Sequence, residues 1–192
     1  MSASTDRVLD EAERVFLEKG FAGARLREIA SALGMRPASL YHHAPGGKAE
    51  LWERVLDRAL ERHRVALTDA AEAGGPLRET LGAMARWLLS QPAVNVASVA
   101  VGDVRAGAPE AARALSERLY GALMVPVAEA FRRAEASGEI GGAAPDLLAG
   151  MFVAAIQDLV PAAHAGTLPR PPEALADAII GVMLDGVRRS GT

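Results

Sequence analysis

Apolar residues recur at helical spacing near the start of the chain. Four of them fall at positions i, i+4, i+7 and i+8, which places them on one face of a helix: Val8, Ala12, Val15 and Phe16. The pattern predicts a first helix over residues 5–19, and the glycine that follows this range ends it.

Two short helices and one long helix are predicted next. Apolar spacing indicates helices over residues 26–33 and 37–42, and Gly34 between them suits a tight left-handed turn. A proline followed by two glycines then interrupts the pattern. A long helix over residues 48–72 follows, and a helix of this length can connect a small module to a second body.

The rest of the chain is also predicted to be helical. Residues 93–105 are ambiguous because their valines suit a strand, but the sequence offers no partner strand, so we predict a helix. Residues 145–163 are apolar almost all round, which predicts burial on several sides. The other predicted helices cover residues 76–90, 109–137 with a kink at Pro126, and 172–188 with an exposed stripe of Leu175, Ile179, Val182 and Met183. The predicted fold class is therefore all-α.

Positive charge is concentrated in one short segment. The chain of 192 residues has a net charge of −3, yet residues 25–48 contain four cationic side chains and a single carboxylate. That segment carries +3, which leaves −6 for the remainder. A basic patch on an acidic body can bind DNA through one face only.

Two short helices across a glycine turn, with basic residues around them, form the pattern of a helix-turn-helix. The second helix of that motif enters the major groove, and here it is short enough that only a few side chains reach base edges. By direction, the candidates for base edges are Arg27, Arg36, Ala38 and Tyr41, and those better suited to phosphates are Ser39, Tyr41, His42 and Lys48.

Other classes of protein receive less support from the composition. The chain contains no cysteine, which excludes disulfides and thiolate metal sites and favours an intracellular, cytoplasmic protein. Its four histidines lack zinc-site spacing, so we expect no metal and no cofactor. No signal peptide is recognisable, and the apolar run over residues 147–163 is short for a membrane span. We also expect no enzymatic activity, because no nucleophile elbow or phosphate-binding loop is found.

The segments VLDEAERVFLEKGF, LREIASALGM, ASLYHHAPGGKAEL and WERVL occur in that order within residues 7–56. Together they resemble the N-terminal domain of the TetR family of bacterial transcriptional regulators. The resemblance implies a helix-turn-helix domain over residues 1–47, followed over residues 48–192 by a larger helical domain that binds ligand and dimerises. It also implies that a small, largely apolar molecule releases a homodimeric repressor from a palindromic operator in double-stranded DNA.

The resemblance assigns further residues to sites. The positions where the family contacts DNA correspond to Arg27, Arg36, Ala38, Ser39, Tyr41, His42 and Lys48, and Arg25 adds a cation beside them. Candidate ligand-binding residues in the second domain are Met84, Trp87, Leu88, Val99, Tyr120, Met124, Phe152 and Gln157. Small and apolar residues of the last two predicted helices suit a dimer interface, namely Gly150, Ala154, Ala155, Ala178, Ile179, Gly181 and Met183.

One alternative function remains open from the sequence. The family often has threonine where this chain has Arg25, and it usually has phenylalanine where this chain has Ala44. These departures keep open a helical ligand-binding or protein-interaction module that has lost DNA binding.

Overall fold

A computed structural model describes residues 3–92, 109–142 and 144–187 of the chain. The described residues contain helices and connecting turns, which confirms the predicted all-α class. The segment over residues 93–105, predicted as a helix, lies outside the described residues. The helices are α1 (Ala3–Gly23), α2 (Leu26–Ala32), α3 (Pro37–His43), α4 (Gly47–Glu72), α5 (Leu77–Ser90), α6 (Pro109–Leu119), a π-helical segment (Tyr120–Met124), α7 (Val125–Ala136), α8 (Pro145–His164) and α9 (Pro172–Val187).

The chain divides into two compact units, which are Met1–Ala59 and Leu60–Thr192. The sequence suggested a division after residue 47, at the start of the long helix. In the structure the division falls within α4, because the buried residues Leu51, Val55 and Leu56 of its first turns belong to the N-terminal unit. Helix α4 therefore contributes residues to both units.

The apolar face predicted for the first helix is buried. Val8, Ala12, Val15 and Phe16 are each at most 3% exposed. The break predicted after residue 19 is also found, because Gly20 has φ 68° and ψ 172° and interrupts the helical conformation within α1. A single further turn follows before α2 begins.

A hydrogen-bonded turn joins α2 to α3. Gly34 has φ 66°, in the left-handed region that favours glycine. Its N–H donates to the carbonyl of Ser31 at 3.1 Å, and the N–H of Met35 donates to the carbonyl of Ala30 at 2.8 Å. This pair of bonds is the Schellman motif, which satisfies the last carbonyls of α2 and fixes the direction in which α3 leaves.

The C-terminal unit has its own apolar core, to which α4, α5, α7, α8 and α9 contribute. Its largest fully buried side chains include Phe131, Phe152, Leu81 and Met84. The N–H of Gly141 donates to the carbonyl of Val187 at 2.9 Å, so the turn after α7 is bonded to the end of α9.

The long helix predicted over residues 109–137 is interrupted rather than simply kinked. A π-helical segment, Tyr120–Met124, separates α6 from α7 just before Pro126. Proline has no N–H, and its ring would collide with the carbonyl four residues earlier in a regular α-helix. The wider π turn accommodates Pro126 without ending the helix.

Helices α8 and α9 differ from the predictions made for their exposed faces. Helix α8 buries Phe152 and Ile156, but Leu147 and Met151 are 63% and 52% exposed, so the expectation of burial on several sides was wrong for that face. In α9, Met183 is buried in the core, whereas Val182 is 76% exposed. The predicted stripe was wrong at Met183, because that side chain lies on the core-facing side of the helix.

Helix α8 is also longer than the apolar run that the sequence suggested. It has 20 residues, and by length and composition alone it could cross a membrane. The core helices of other folds satisfy the same criteria. Here Phe152, Ile156 and Val160 are buried among the side chains of the C-terminal unit, which is the arrangement of a core helix.

A half-buried ion-pair network joins α4 to α1 within the N-terminal unit. The two terminal nitrogens of Arg58 lie 2.7 Å from Asp10 Oδ1 and 2.8 Å from Glu13 Oε2. Burial lowers the pKa of Arg58, but the hydrogen bonds to Glu13 and Asp10 outweigh it and raise the pKa overall. Glu13 is only 14% exposed, so losing Arg58 would leave its carboxylate without this cation.

We expect Arg58→Met to destabilise the N-terminal unit by about 2 kcal/mol, the usual range for hydrogen bonds to charged groups. The matched control is Arg64→Met on the same helix, because Arg64 pairs with Glu61 at the surface and such pairs contribute roughly 0.5 kcal/mol or less. Urea unfolding followed by circular dichroism measures both variants. Equal losses of stability would contradict the role given to Arg58.

Candidate nucleic-acid interface

Helix α2 separates an apolar face from a cationic one. Ile29 and Ala30 are fully buried, whereas Arg25 and Arg27 are exposed. Arg25 is the N-cap residue, with extended backbone (φ −127°, ψ 131°) and no side-chain capping bond. Its guanidinium group therefore does not serve as a helix cap.

Helix α3 has seven residues and a single buried side chain, Leu40, which is 1% exposed. Pro37 occupies the first turn, where a missing N–H costs nothing. Tyr41 is 52% exposed. The side chains predicted to approach DNA from this helix and its N-cap are exposed or half-buried, namely Arg36, Ala38, Ser39, Tyr41 and His42.

The end of α3 is held by groups from two other helices of the same unit. Arg54 of α4 donates a hydrogen bond to the carbonyl of His43, and Thr5 Oγ1 of α1 lies 3.4 Å from His43 Nδ1. Ala44 is 2% exposed, and its N–H donates to the carbonyl of Leu40 at 2.9 Å. Arg54 and His43 were not predicted for this role, since no local sequence pattern joins residues so far apart in the chain.

The turn into α4 is compact. Gly47 is buried and has φ 70°, and a Cβ placed there would lie 3.7 Å from Tyr41 Cε1 and 3.9 Å from Leu26 Cδ1. The N–H of Gly46 donates to the Glu50 carboxylate at 2.6 Å. The positive φ of Gly47 favours glycine, and a Cβ at Gly46 would lie 3.0 Å from Glu50 Cβ, so both glycines suit this turn.

Lys48 is placed differently from the outward phosphate contact that the sequence suggested. Its ammonium group donates to the carbonyl of Phe21 at 2.8 Å and to that of Ala24 at 3.2 Å. It also lies 4.6 Å from the centroid of the Phe21 ring. The group is therefore engaged with the end of α1.

The single carboxylate within residues 25–48, that of Glu28, is paired with a cation. Glu28 Oε2 lies 3.2 Å from Lys19 Nζ. The hydrogen bond from Lys19, opposed by partial desolvation, lowers the pKa of Glu28. Lys19 offsets the negative charge of Glu28, so the exposed arginines of α2 and α3 determine the sign of this surface.

Residues 8–55 match the family model described as bacterial regulatory proteins, tetR family. Over this segment, a quarter of the chain, the sequence is therefore similar to the tetR family of bacterial regulatory proteins. The match covers α2 and α3 completely, with the turn that joins them, and it extends into the first turns of α4.

Two curated relatives align over part of this chain. The HTH-type transcriptional regulator LmrA of Bacillus subtilis (strain 168) is 34% identical over 70 residues, 36% of this chain and 37% of LmrA. The HTH-type transcriptional repressor DrrR1 of Streptomyces coeruleorubidus is 36% identical over 85 residues, 44% of this chain and 30% of DrrR1. The chain thus spans about a third of the length of these relatives.

Solved structures share the fold of almost the whole chain. The crystal structure of AibR in complex with isovaleryl coenzyme A and operator DNA superposes with a TM-score of 0.68. The alignment covers 93% of this chain and 96% of AibR at 20% sequence identity. At that identity the likeness concerns the fold alone.

The candidate ligand-binding residues occupy three kinds of environment in the C-terminal unit. Met84, Leu88 and Phe152 are fully buried in the core. Trp87, Met124 and Gln157 are half-buried, Tyr120 is 47% exposed, and Val99 lies outside the described residues. Their role in ligand binding stays a prediction.

Two cavities of the C-terminal unit are lined by other residues. One, of about 190 Å³, lies between the turn after α4 and the end of α7, where Thr80, Arg133 and Glu139 line it. The other, of about 380 Å³, is an open depression around Pro169 and Arg170. Neither of these two is lined by a predicted ligand-binding residue.

The candidate dimer residues divide between two sides of α8 and α9. Ala154 and Ala178 are exposed, and Ala155 and Ile179 are half-buried. Met183 is buried, a Cβ at Gly150 would lie 3.4 Å from Met124 Cε, and one at Gly181 would lie 3.7 Å from Arg78 Nη2. Met183, Gly150 and Gly181 therefore face other side chains of the same chain. Large apolar side chains are exposed at three positions that were not among the predicted interface residues, namely Leu147, Met151 and Val182.

Proposed function

We propose that this chain is a member of the TetR family and a cytoplasmic, sequence-specific transcriptional repressor. It acts as a homodimer on a palindromic operator in double-stranded DNA, and a small, largely apolar molecule releases it. No catalytic step, metal or cofactor forms part of this function.

The observation that carries the proposal is the two-sided construction of α3. Leu40 holds the helix from one side, and the opposite side presents Tyr41, His42 and Ala38 to solvent. Burying an aromatic ring would ordinarily stabilise the fold, so a ring as exposed as that of Tyr41 suits a binding surface better than a structural role. This geometry supports DNA binding over a module that has lost it.

Each exposed group suits a particular part of DNA. A guanidinium group such as that of Arg36 can grip the O6 and N7 atoms of guanine with two hydrogen bonds. The Ala38 methyl group offers an apolar contact to a thymine methyl. Hydroxyl and imidazole groups, such as those of Tyr41 and His42, suit phosphate oxygens, which fix the register of the protein on the duplex.

The charge distribution supports one-sided binding. Residues 25–48 carry +3 and the remainder of the chain −6. The acidic remainder repels the DNA backbone, so the duplex is attracted to the basic surface alone. Binding of this kind weakens steeply with salt, because phosphate contacts release condensed counterions.

For the effector, the C-terminal unit offers an apolar interior with a few polar groups. Trp87 Nε1 donates to His63 Nδ1 at 3.2 Å, which joins α5 to α4. Gln157 and Met124 are half-buried near the same core and suit an adaptable, mainly apolar site. Because α4 contributes residues to both units, a ligand that alters the contact between Trp87 and His63 acts on a helix shared with the DNA-binding unit.

For the dimer, exposed apolar side chains on the last two helices supply the area. Val182, Leu147 and Met151 are 76%, 63% and 52% exposed. Small residues beside them, Ala154 and Ala178, allow close approach of a second copy. Exposed apolar surface of this extent is unusual in a monomer and typical of an interface.

Selection of bound fragments from a genomic DNA pool at about 100 mM salt tests sequence-specific DNA binding. We expect wild type to recover an inverted repeat whose half-sites lie about 10 base pairs, or a multiple, apart. The double variant Arg36→Ala, Tyr41→Ala should recover none, because it lacks a base contact and a phosphate contact. The control Arg113→Ala removes an exposed cation of α6 and should select the same repeat as wild type.

A wild-type protein that enriches no common sequence would contradict sequence-specific binding. Equal enrichment by the double variant would show that α3 does not read the DNA.

Val182→Arg tests the interface. We expect it to convert the dimer to a monomer in light scattering, because a charge would be buried at the centre of an apolar contact. The residue is exposed in its own subunit, so the unfolding temperature of the monomer should stay within a few degrees of that of the control Ala114→Arg on α6. A dimer that survives Val182→Arg would place the interface elsewhere.

A further inference from the structure

Lys48 makes three hydrogen bonds to backbone carbonyls that lie far from it in sequence. Its Nζ atom lies 2.8 Å from the Phe21 carbonyl oxygen, 3.2 Å from that of Ala24 and 3.5 Å from that of Ala22. An ammonium group has three N–H donors. These carbonyls therefore use the whole donor capacity of Lys48.

The three carbonyls are those that the end of a helix leaves unpaired. They follow the break at Gly20, in the last turn of α1 and the residue after it. The C-terminal end of a helix is negative and favours a cation, yet the last turn of α1 contains no basic residue. Lys48, from the start of α4, supplies that cation.

An aromatic cluster supports the same ammonium group. It lies 4.6 Å from the Phe21 ring centroid, within the range of a cation–π contact. The Phe21 ring in turn stacks on Phe16 at 6.2 Å and lies 5.9 Å from Trp52. Phe16 and Trp52 are buried, whereas Phe21 is 37% exposed, so the ring that contacts Lys48 lies at the edge of the core of the N-terminal unit.

The bonded segment leads directly into the DNA-binding surface. One residue separates Ala24 from the start of α2, and that residue is Arg25, the N-cap. On the other side of the contact, Gly47 packs close to Leu26 and Tyr41. Lys48 thus joins the start of α2 to the start of α4, beside the side chains proposed to meet DNA.

We infer that Lys48 is a positioning residue of the DNA-binding surface formed by α2 and α3, and that it makes no phosphate contact of its own. It holds the segment between α1 and α2 against α4, and so sets where the arginines of α2 and the side chains of α3 stand. This inference rests on the proposed function, and it assigns to Lys48 a role different from the one its sequence position suggests.

Salt dependence separates the two roles. The affinity falls as salt rises, and each phosphate contact that is lost makes the slope of log K against log salt less steep by about 0.9. Losing a positioning residue weakens binding and leaves the slope close to that of wild type. An arginine at position 48 also discriminates, because guanidinium binds phosphate well but its planar fork does not match three converging carbonyls.

The experiment measures operator affinity between about 50 and 200 mM salt for wild type, Lys48→Met and Lys48→Arg. We expect about tenfold weaker binding for Lys48→Met, the lower end of the loss expected for hydrogen bonds to a charged group, at an unchanged slope and without rescue in Lys48→Arg. Arg25→Met removes an exposed cation beside the predicted DNA contacts, and as the reference it should make the salt dependence less steep. A less steep salt dependence in Lys48→Met, or operator affinity fully restored in Lys48→Arg, would overturn the inference.

A stability control excludes a merely structural effect. Val15→Ala truncates a side chain that is 2% exposed in α1 and remote from the bonded carbonyls. Affinities are compared at a temperature where every variant is fully folded. A positioning role predicts weaker binding for Lys48→Met alone, and equal losses in the two variants would overturn it.

Hydrogen exchange tests the contact without DNA. Amides of residues 21–26 should exchange at least about tenfold faster in Lys48→Met, with no change in α8, because the anchoring hydrogen bonds are lost. If wild type selects no DNA sequence, the proposed function fails, whereas this measurement still decides the contact. Unchanged exchange over residues 21–26 would overturn the inference whatever the DNA result.

Discussion

The recognition helix cannot maintain its own structure. Helix α3 has seven residues, and isolated helices of such length are unstable in water. Leu40 is its single buried side chain, so its position depends on one apolar contact, the Schellman turn at Gly34 and the Arg54 hydrogen bond to the His43 carbonyl. The N-terminal unit supplies these supports from α1, α2 and α4.

Because α3 takes its support from one side, its other side is available for binding. The ion pairs of Arg58 with Asp10 and Glu13, and the bonds of Lys48 to the end of α1, join the supporting helices. Polar groups thus fix the framework, while Tyr41, His42 and the arginines of α2 and α3 add little to packing. The residues that stabilise this unit and those proposed to read DNA are largely different.

Local patterns predicted most of the fold. The apolar face of α1, the stop at Gly20 and the turn at Gly34 follow from a few neighbouring residues, and the structure confirms each. The π-helical segment before Pro126 was not predicted, because proline indicates a disturbance but not how the chain accommodates it. Met183 was assigned to the wrong side of its helix, since α9 is apolar on more than one face and periodicity alone does not select the buried one.

In the candidate site, local spacing predicted which side chains are exposed but not the contacts between distant residues. Arg27 lies two residues from the buried Ile29 and Tyr41 one residue from the buried Leu40, so helical geometry turns their side chains away from the buried face. Arg36 is the N-cap residue before α3 and is also exposed. The inward direction of Lys48 and the bond from Arg54 to His43 depend on residues distant in sequence, so helical spacing carries no signal for them. For the same reason, sequence alone did not distinguish pocket residues from core residues in the C-terminal unit.

Methylation interference on a selected operator tests the central claim, that α3 reads the major groove, most directly. Dimethyl sulfate modifies guanine N7 in the major groove and adenine N3 in the minor groove. The account predicts that guanine methylation blocks binding in two patches about 10 base pairs, or a multiple, apart. Interference confined to adenines would contradict it, because the protein would then read the minor groove.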